Sequence, residues 1–359
     1  MSTLRVEALE QPDGTAFVFN NKNLLINGGM NVWQRSTSTA SITTSAYHTV
    51  DRWETSITTL GTWTQTRSTD VPSAQGFGYS LKMDCTTADA SPAAGDYLLL
   101  MQKMEGQNLQ HLLKGTSSAK KLTISFWVKS NKTGTYICEI DDNDNTRNIN
   151  KSYTINSADT WEKKTITYDG DTSGVLDNDN DHSLRVMFWL GAGSDFTSGT
   201  LQTSWGSTVN ANRAVGQVNL ADSTSNEWYV TGIQLEVGST ASGFEFESYS
   251  VTENKCLRYF EQNSLNMSGM FVGGSAELPY VTYDYPTPKR TTVTATYVSG
   301  GVVRDRQTEH NISSLYSGLP VLGQSVTSIG LIYSLSSGAG VIGEACIVRN
   351  VTMKFDAEL

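Results

Sequence analysis

Leu122-Thr123-Ile124-Ser125-Phe126-Trp127-Val128-Lys129 alternates apolar and polar side chains with a period of two, the pattern of a half-buried strand. Asn131-Lys132-Thr133-Gly134 then supplies turn chemistry, and Thr135-Tyr136-Ile137-Cys138-Glu139-Ile140 begins a second strand. Working outward, further strands are expected around 161–168, 184–190 and 228–237. Asp and Asn clusters separate them: Asp141-Asp142-Asn143-Asp144-Asn145, Asp169-Gly170-Asp171, and Asp177-Asn178-Asp179-Asn180-Asp181. Strands so spaced, with few helical patterns between them, predict an all-β chain built on a jelly-roll β-sandwich. The segment 97–113 carries Leu98, Leu99, Met101, Leu109 and Leu112 and admits a helical reading, but Gly106 interrupts it. Strand followed by loop is the better reading.

Composition agrees. The 359 residues have 38% hydrophobic and only 17% charged side chains, with 31 Gly, 8 Trp, 15 Tyr and 11 Phe. So many aromatics with so little charge exclude a disordered chain. A net charge of −10 and the lack of a Lys/Arg cluster exclude the electrostatic footprint of a nucleic-acid or anionic-membrane binder. No apolar run approaches the ~18 residues of a membrane-spanning helix. The opening Met1-Ser2-Thr3-Leu4-Arg5-Val6-Glu7 lacks the order of a signal peptide, so synthesis in a reducing cytoplasm is expected.

Three segments follow from the pattern. Residues 1–22 read as a short hairpin, marginal alone, that serves as an anchor or stalk. Residues 23–252 hold the sandwich. Residues 253–359 form a smaller C-terminal β domain, opened by a short helix at 253–262 and expected to be the receptor-binding tip. Strands are expected there around 280–285, 291–297, 330–335 and 347–355.

Candidate chemistry is sparse. Cys85, Cys138, Cys256 and Cys346 stand far apart with no zinc spacing, and read as small buried hydrophobes; a Cys85–Cys138 disulfide stays open. His48, His111, His182 and His310 lie in unrelated neighbourhoods, and no nucleophile elbow, phosphate loop or HExxH motif occurs. A catalytic role is therefore not expected. Asp141, Asp144, Asp177, Asp179 and Asp181 crowd hard oxygens as calcium ligands do, but without EF-hand spacing, and turn-filling explains them as well. Trp127 and Trp189 fall on the polar faces of their strands, where an indole can carry the apolar face of a sugar ring; the competing reading is that these faces are covered and the Trp side chains are core. Tyr280, Tyr283 and Tyr285 are the corresponding ligand candidates in the C-terminal domain.

The run Asn23-Leu24-Leu25-Ile26-Asn27-Gly28-Gly29-Met30-Asn31-Val32-Trp33-Gln34-Arg35 resembles the opening of a family of bacteriophage tail-fibre and receptor-binding proteins. The likeness continues in Asp51-Arg52-Trp53, in Gly76-Phe77-Gly78-Tyr79-Ser80-Leu81-Lys82, in Leu122 through Ser130, and in Asn226 through Gly238. It closes with Phe244-Glu245-Phe246 and Cys256-Leu257-Arg258-Tyr259-Phe260. The resemblance implies a virion protein with a carbohydrate-binding-module-like jelly roll. It implies a homotrimer, attached through residues 1–22 to tail or baseplate proteins, that recognises a host surface polysaccharide, with no catalytic residues to carry over. A non-binding spacer in the capsid, neck or baseplate, and a glycan depolymerase, are the alternatives. Within these motifs Gly28-Gly29 is expected to permit a tight bend, Ile233, Leu235 and Val237 to share a strand face, and Arg52 to pair with Glu236 or Glu245.

Overall fold

The structure, a computed structural model, describes residues 22–272, 278–304, 308–316, 321–336 and 342–359. The anchor expected at 1–22 lies, apart from Lys22, outside the described residues. The sandwich strands are β1 (Ser38–Ile42), β2 (Glu54–Thr58), β3 (Thr62–Ser68), β4 (Ser80–Thr87), β5 (Tyr97–Glu105), β6 (Leu122–Ser130), β7 (Gly134–Asp142), β8 (Arg147–Ile155), β9 (Glu162–Tyr168), β10 (His182–Ala192), β11 (Gly206–Ser207) and β12 (Glu227–Val237). They form two six-stranded antiparallel sheets, β1-β3-β4-β12-β6-β9 and β11-β8-β7-β10-β5-β2, a jelly-roll sandwich. Two short helices, α1 (Ser194–Thr197) and α2 (Tyr249–Leu257), complete the ordered elements of this part.

Alternation does the sorting. On β6, Leu122, Ile124, Phe126 and Val128 point between the sheets; on β10, Val186, Phe188 and Leu190 meet them. Phe126 and Phe188 touch edge to face at 5.0 Å, a geometry aromatic quadrupoles favour. Trp53, Trp63 and Trp228 fill the same core. All four cysteines are buried and unpaired, so no Cys85–Cys138 bridge forms. Residues 97–113 are strand β5 followed by two 3-10 turns, as expected from Gly106, where a side chain would overlap Asp177.

The C-terminal strands are β13 (Phe260–Val272), β14 (Leu278–Asp284), β15 (Thr294–Arg304), β16 (Glu309–Leu315), β17 (Val321–Leu322), β18 (Ser328–Leu335) and β19 (Ala345–Asp356). Their order is β14-β13-β19-β15-β16-β18, and β18 pairs back onto β14, which closes the sheet into a barrel. Closure leaves no free edge. Leu265, Val281, Val303, Leu331, Val348 and Met353 pack inside. The expected helix at 253–262 is displaced. It spans Tyr249–Leu257, and Phe260–Gln262 already pair with β19 as strand, because ladder bonds to Asp356 and Lys354 outweigh one more helical turn.

A buried polar seam fastens barrel to sandwich. Arg52, expected to pair with Glu236 or Glu245, instead pairs with Glu358 and donates to the Lys103 carbonyl at 2.8 Å. Glu236 is taken by Ser242 and Gln234, and Glu245 accepts from the Asn23 amide. Arg258 grips Glu105 with two bonds of 2.7 and 2.8 Å. Arg290 reaches the Asn180 carbonyl and Asp181 on one side and the Ala357 carbonyl on the other. Lys289 and Glu261, both fully buried, pair at 2.6 Å at the barrel mouth.

Candidate functional site

Strand β10 puts Met187 and Trp189 on the face opposite the core, and β5 adds Leu99 and Met101 beside them. The chain then makes an excursion, residues 193–219, that folds back over this outer face. It brings Phe196 to 5.3 Å and the Arg213 guanidinium to 5.2 Å from the Trp189 ring. Between sheet and excursion lies a cleft of about 140 Å³. Tyr97 and Phe196, in edge contact at 5.5 Å, are half-buried in its wall, and Arg185, Arg213 and Ser56 supply its polar groups.

The cleft floor is electrostatically finished. Trp189 Nε1 donates to Glu139 at 2.8 Å, Arg213 Nε donates to the same carboxylate at 3.0 Å, and Asn148 adds a third bond. Burial pushes the Glu139 carboxyl above its ordinary range despite Arg213. Asp141 next to it accepts from Arg185 at 2.8 Å. Both carboxylates are enclosed and committed, so the surface open to a ligand consists of aromatic edges, thioethers and guanidinium N–H groups.

Trp189 is therefore on the face that its alternation indicates, yet it is 1% exposed and is no open platform. The cover is the chain's own excursion. Trp127 is half-buried on the outer face of the other sheet, opposite Thr231 and Lys163. On that face Lys129 sits 4.3 Å over the Tyr229 ring, and Trp161 donates to Asp70 at 2.8 Å.

The tyrosines do not form a tip surface. Tyr285 is buried in the barrel, and Tyr283 stacks on Phe355 at 5.2 Å and donates to Glu261. Both stand at the barrel end next to the sandwich, where their rings seal the Lys289–Glu261 pair; Tyr280 is half-buried further along β14. Burial pushes the hydroxyls of Tyr283 and Tyr285 well above the ordinary phenol range.

The acidic runs are used as turns and ion pairs. Asp144 accepts from the Asp177 amide at 2.9 Å and Asp179 from the Asp181 amide at 3.0 Å, while Asp181 pairs with Arg290. Asp142 and Asp171 share Lys114, and Arg147 adds a second cation on Asp171. Among the described residues no group of three or more His, Cys, Asp or Glu could hold a metal ion.

The residues missed by the alternation argument are Tyr97, Phe196 and Arg213. Tyr97 carries a signal, as the first residue of a strand whose even and odd faces are both apolar. Phe196 and Arg213 come from a polar stretch with no periodicity.

No family model matches this chain, and no curated protein matches it. Solved structures similar to it include the enzymatically active domain of tailspike protein 4 of bacteriophage CBA120, at 13% identity and TM-score 0.32, over 63% of this chain and 23% of that one. Another is the family 11 carbohydrate-binding module of Clostridium thermocellum, in complex with a β-1,3-1,4-mixed-linked tetrasaccharide: 13% identity, TM-score 0.29, 58% of this chain and 99% of that one. A third is a xylan-binding domain from Paenibacillus barcinonensis: 11% identity, TM-score 0.28, 61% and 96%. The chain thus spans about a quarter of the tailspike chain and nearly the whole of the two modules.

Proposed function

We propose that this chain is a virion fibre protein that binds a host surface glycan, and that the cleft on the outer face of the second sheet is where the sugar sits. The observation that carries the reading is the pairing of half-buried Tyr97 and Phe196 with the guanidinium of Arg213 around one small cleft. A sugar ring offers apolar C–H faces to aromatic side chains and hydroxyl oxygens to N–H donors, and this lining supplies both. The virion setting, the homotrimer and attachment through residues 1–22 rest on the tail-fibre resemblance. An assembly of copies would also bury Phe246, Tyr249 and Val251, which stand exposed together on the segment joining sandwich to barrel. Three weak sites on one fibre gain avidity without further contacts.

A second reading places the contact at the barrel tip, where Met270, Ile342 and Ile347 are exposed at the end away from the sandwich. Binding of the full chain to host cells and extracted polysaccharide, with light scattering for mass, separates the two. The cleft reading expects Tyr97→Ala with Phe196→Ala to weaken binding about tenfold or more, and Ile347→Lys to leave it intact. The reverse pattern moves the site to the tip. A folded protein that binds the particle and nothing on the cell is a spacer, and release of reducing sugar makes it a depolymerase.

A further inference from the structure

Arg52 is a fully buried cation held in an unusual way. Its φ is 74°, in the left-handed region that a non-glycine residue adopts only when its surroundings impose it. One guanidinium nitrogen is paired with Glu358 and another with the Lys103 carbonyl, but Nε is buried with no hydrogen-bond partner. An unmet charged donor away from water costs on the order of 1–3 kcal/mol, and native structures seldom leave one without a reason. Arg52 also lines a pocket of about 350 Å³ at the junction of sandwich and α2. This is a larger space than the cleft beside Trp189, and a separate one.

The remaining lining gives the ligand its chemistry. Lys103, Lys255 and Arg258 join Arg52, against Glu105 as the one carboxylate. In a chain of net charge −10 this is a cationic exception. Ile26 and Leu109 give an apolar wall, while Asn108 and His111 stand exposed on the rim. Glu105 itself is saturated by Arg258 and by Tyr259, whose hydroxyl donates at 2.5 Å.

We propose that this junction pocket binds a carboxylate-bearing saccharide unit, a uronic acid, whose carboxylate accepts from Arg52 Nε and whose ring lies on Ile26 and Leu109. As a sugar assignment it rests on the glycan-binding reading above; as an anion site it stands on Arg52 alone. One fibre would then read a neutral sugar at the cleft and an acidic one at the junction of an acidic surface polysaccharide.

Calorimetric titration of the full chain with sodium glucuronate and with glucose tests it. Glucuronate is expected to bind with a millimolar dissociation constant, glucose about tenfold more weakly or less. The rim variants His111→Glu, which adds a negative charge, and Asn108→Trp, which fills the mouth, are each expected to weaken glucuronate about tenfold with the melting temperature unchanged. Absence of saturable glucuronate binding, equal affinity for glucose, or rim variants without effect overturns the proposal. Glucuronate bound in this pattern by a protein that ignores the polysaccharide would sink the fibre reading and leave the pocket standing. Polysaccharide bound without glucuronate does the opposite.

Discussion

The Arg52 guanidinium lies flat against Tyr259, its central carbon 3.4 Å from the ring centroid, and pairs on its far edge with Glu358. A residue of the sandwich is thus enclosed by the first and last turns of the barrel. The neighbouring motif does the same: Arg35 sits 3.6 Å over the Phe260 ring, and Gln34 donates to the Phe260 carbonyl at 3.1 Å. The two motifs of the tail-fibre resemblance, Trp33-Gln34-Arg35 and Asp51-Arg52-Trp53, therefore clamp the third, Leu257-Arg258-Tyr259-Phe260.

Removing one partner of that clamp is costly because the other stays buried and charged. Glu358→Gln leaves Arg52 without its counter-ion, and the loss expected for breaking a buried pair is about 3–5 kcal/mol. Differential scanning calorimetry checks this. The expected result is a lower melting temperature with the barrel and sandwich transitions drawn apart; an unchanged thermogram would mean the seam contributes nothing.

Asp51 gives the seam a pH signature of unusual sign. Burial raises its carboxyl to about 6 even though Arg35 and Gln34 pull the other way. Its unfolded value is about 3.9. Between these two values the folded state holds more protons than the unfolded one, so this group's contribution to stability falls as pH rises through the window. Above about 6 both states are ionised and the contribution is flat. Melting curves of the native protein and Asp51→Asn between pH 3.5 and 7.5, about a unit beyond the window on the acid side, should therefore diverge. The native-minus-variant difference in stability declines from about pH 4 to 6 and levels off. A difference that rises with pH would refute the assignment.

How much of this was legible in the sequence depends on what each residue answers to. Strands such as β6, β10 and β12 show because one face meets the core and the other does not. β8 hides because Asn148 and Asn150 are fully buried on a strand that reads as polar; Asn148 is satisfied by Glu139 across the sheet. Trp189 shows its face, but not its cover, since residues 193–219 reach it through tertiary folding without periodicity. The calcium and tyrosine candidates mislead for a shared reason: composition gives the atoms, while Arg185, Lys114, Arg290 and Phe355, which occupy them, lie 19 or more positions away. Arg52 and Glu358 are 306 residues apart, beyond any local pattern.

Gly28 illustrates a glycine read correctly for position and differently for cause. Its φ is not in the left-handed region; what it provides is close approach. A side chain there would overlap the Ile233 carbonyl oxygen, and the Gly28 carbonyl accepts from the Ile233 amide at 2.9 Å. Gly28→Ala must push the entering strand off β12, at a cost of about 1–3 kcal/mol. A denaturant midpoint shifted down with unchanged slope is the expected observation, and an unshifted midpoint would show that the strand yields freely.

The acidic runs make a final test of whether oxygens in a turn amount to a metal site. Asp141 is held by Arg185, Asp142 and Asp171 by Lys114, and Asp181 by Arg290. Calcium would have to displace cations already in place, two of them on nearly enclosed carboxylates. A ligand that binds only the folded state raises the melting temperature by mass action. Adding calcium or a chelator is therefore expected to leave the melt where it is, whereas Lys114→Met, which strands two buried carboxylates, lowers it by the equivalent of about 3–5 kcal/mol. If calcium instead rescues Lys114→Met, these carboxylates form a latent cation site that the lysine occupies in the native chain. If calcium stabilises the native chain itself, the ion-pair account of these turns is wrong.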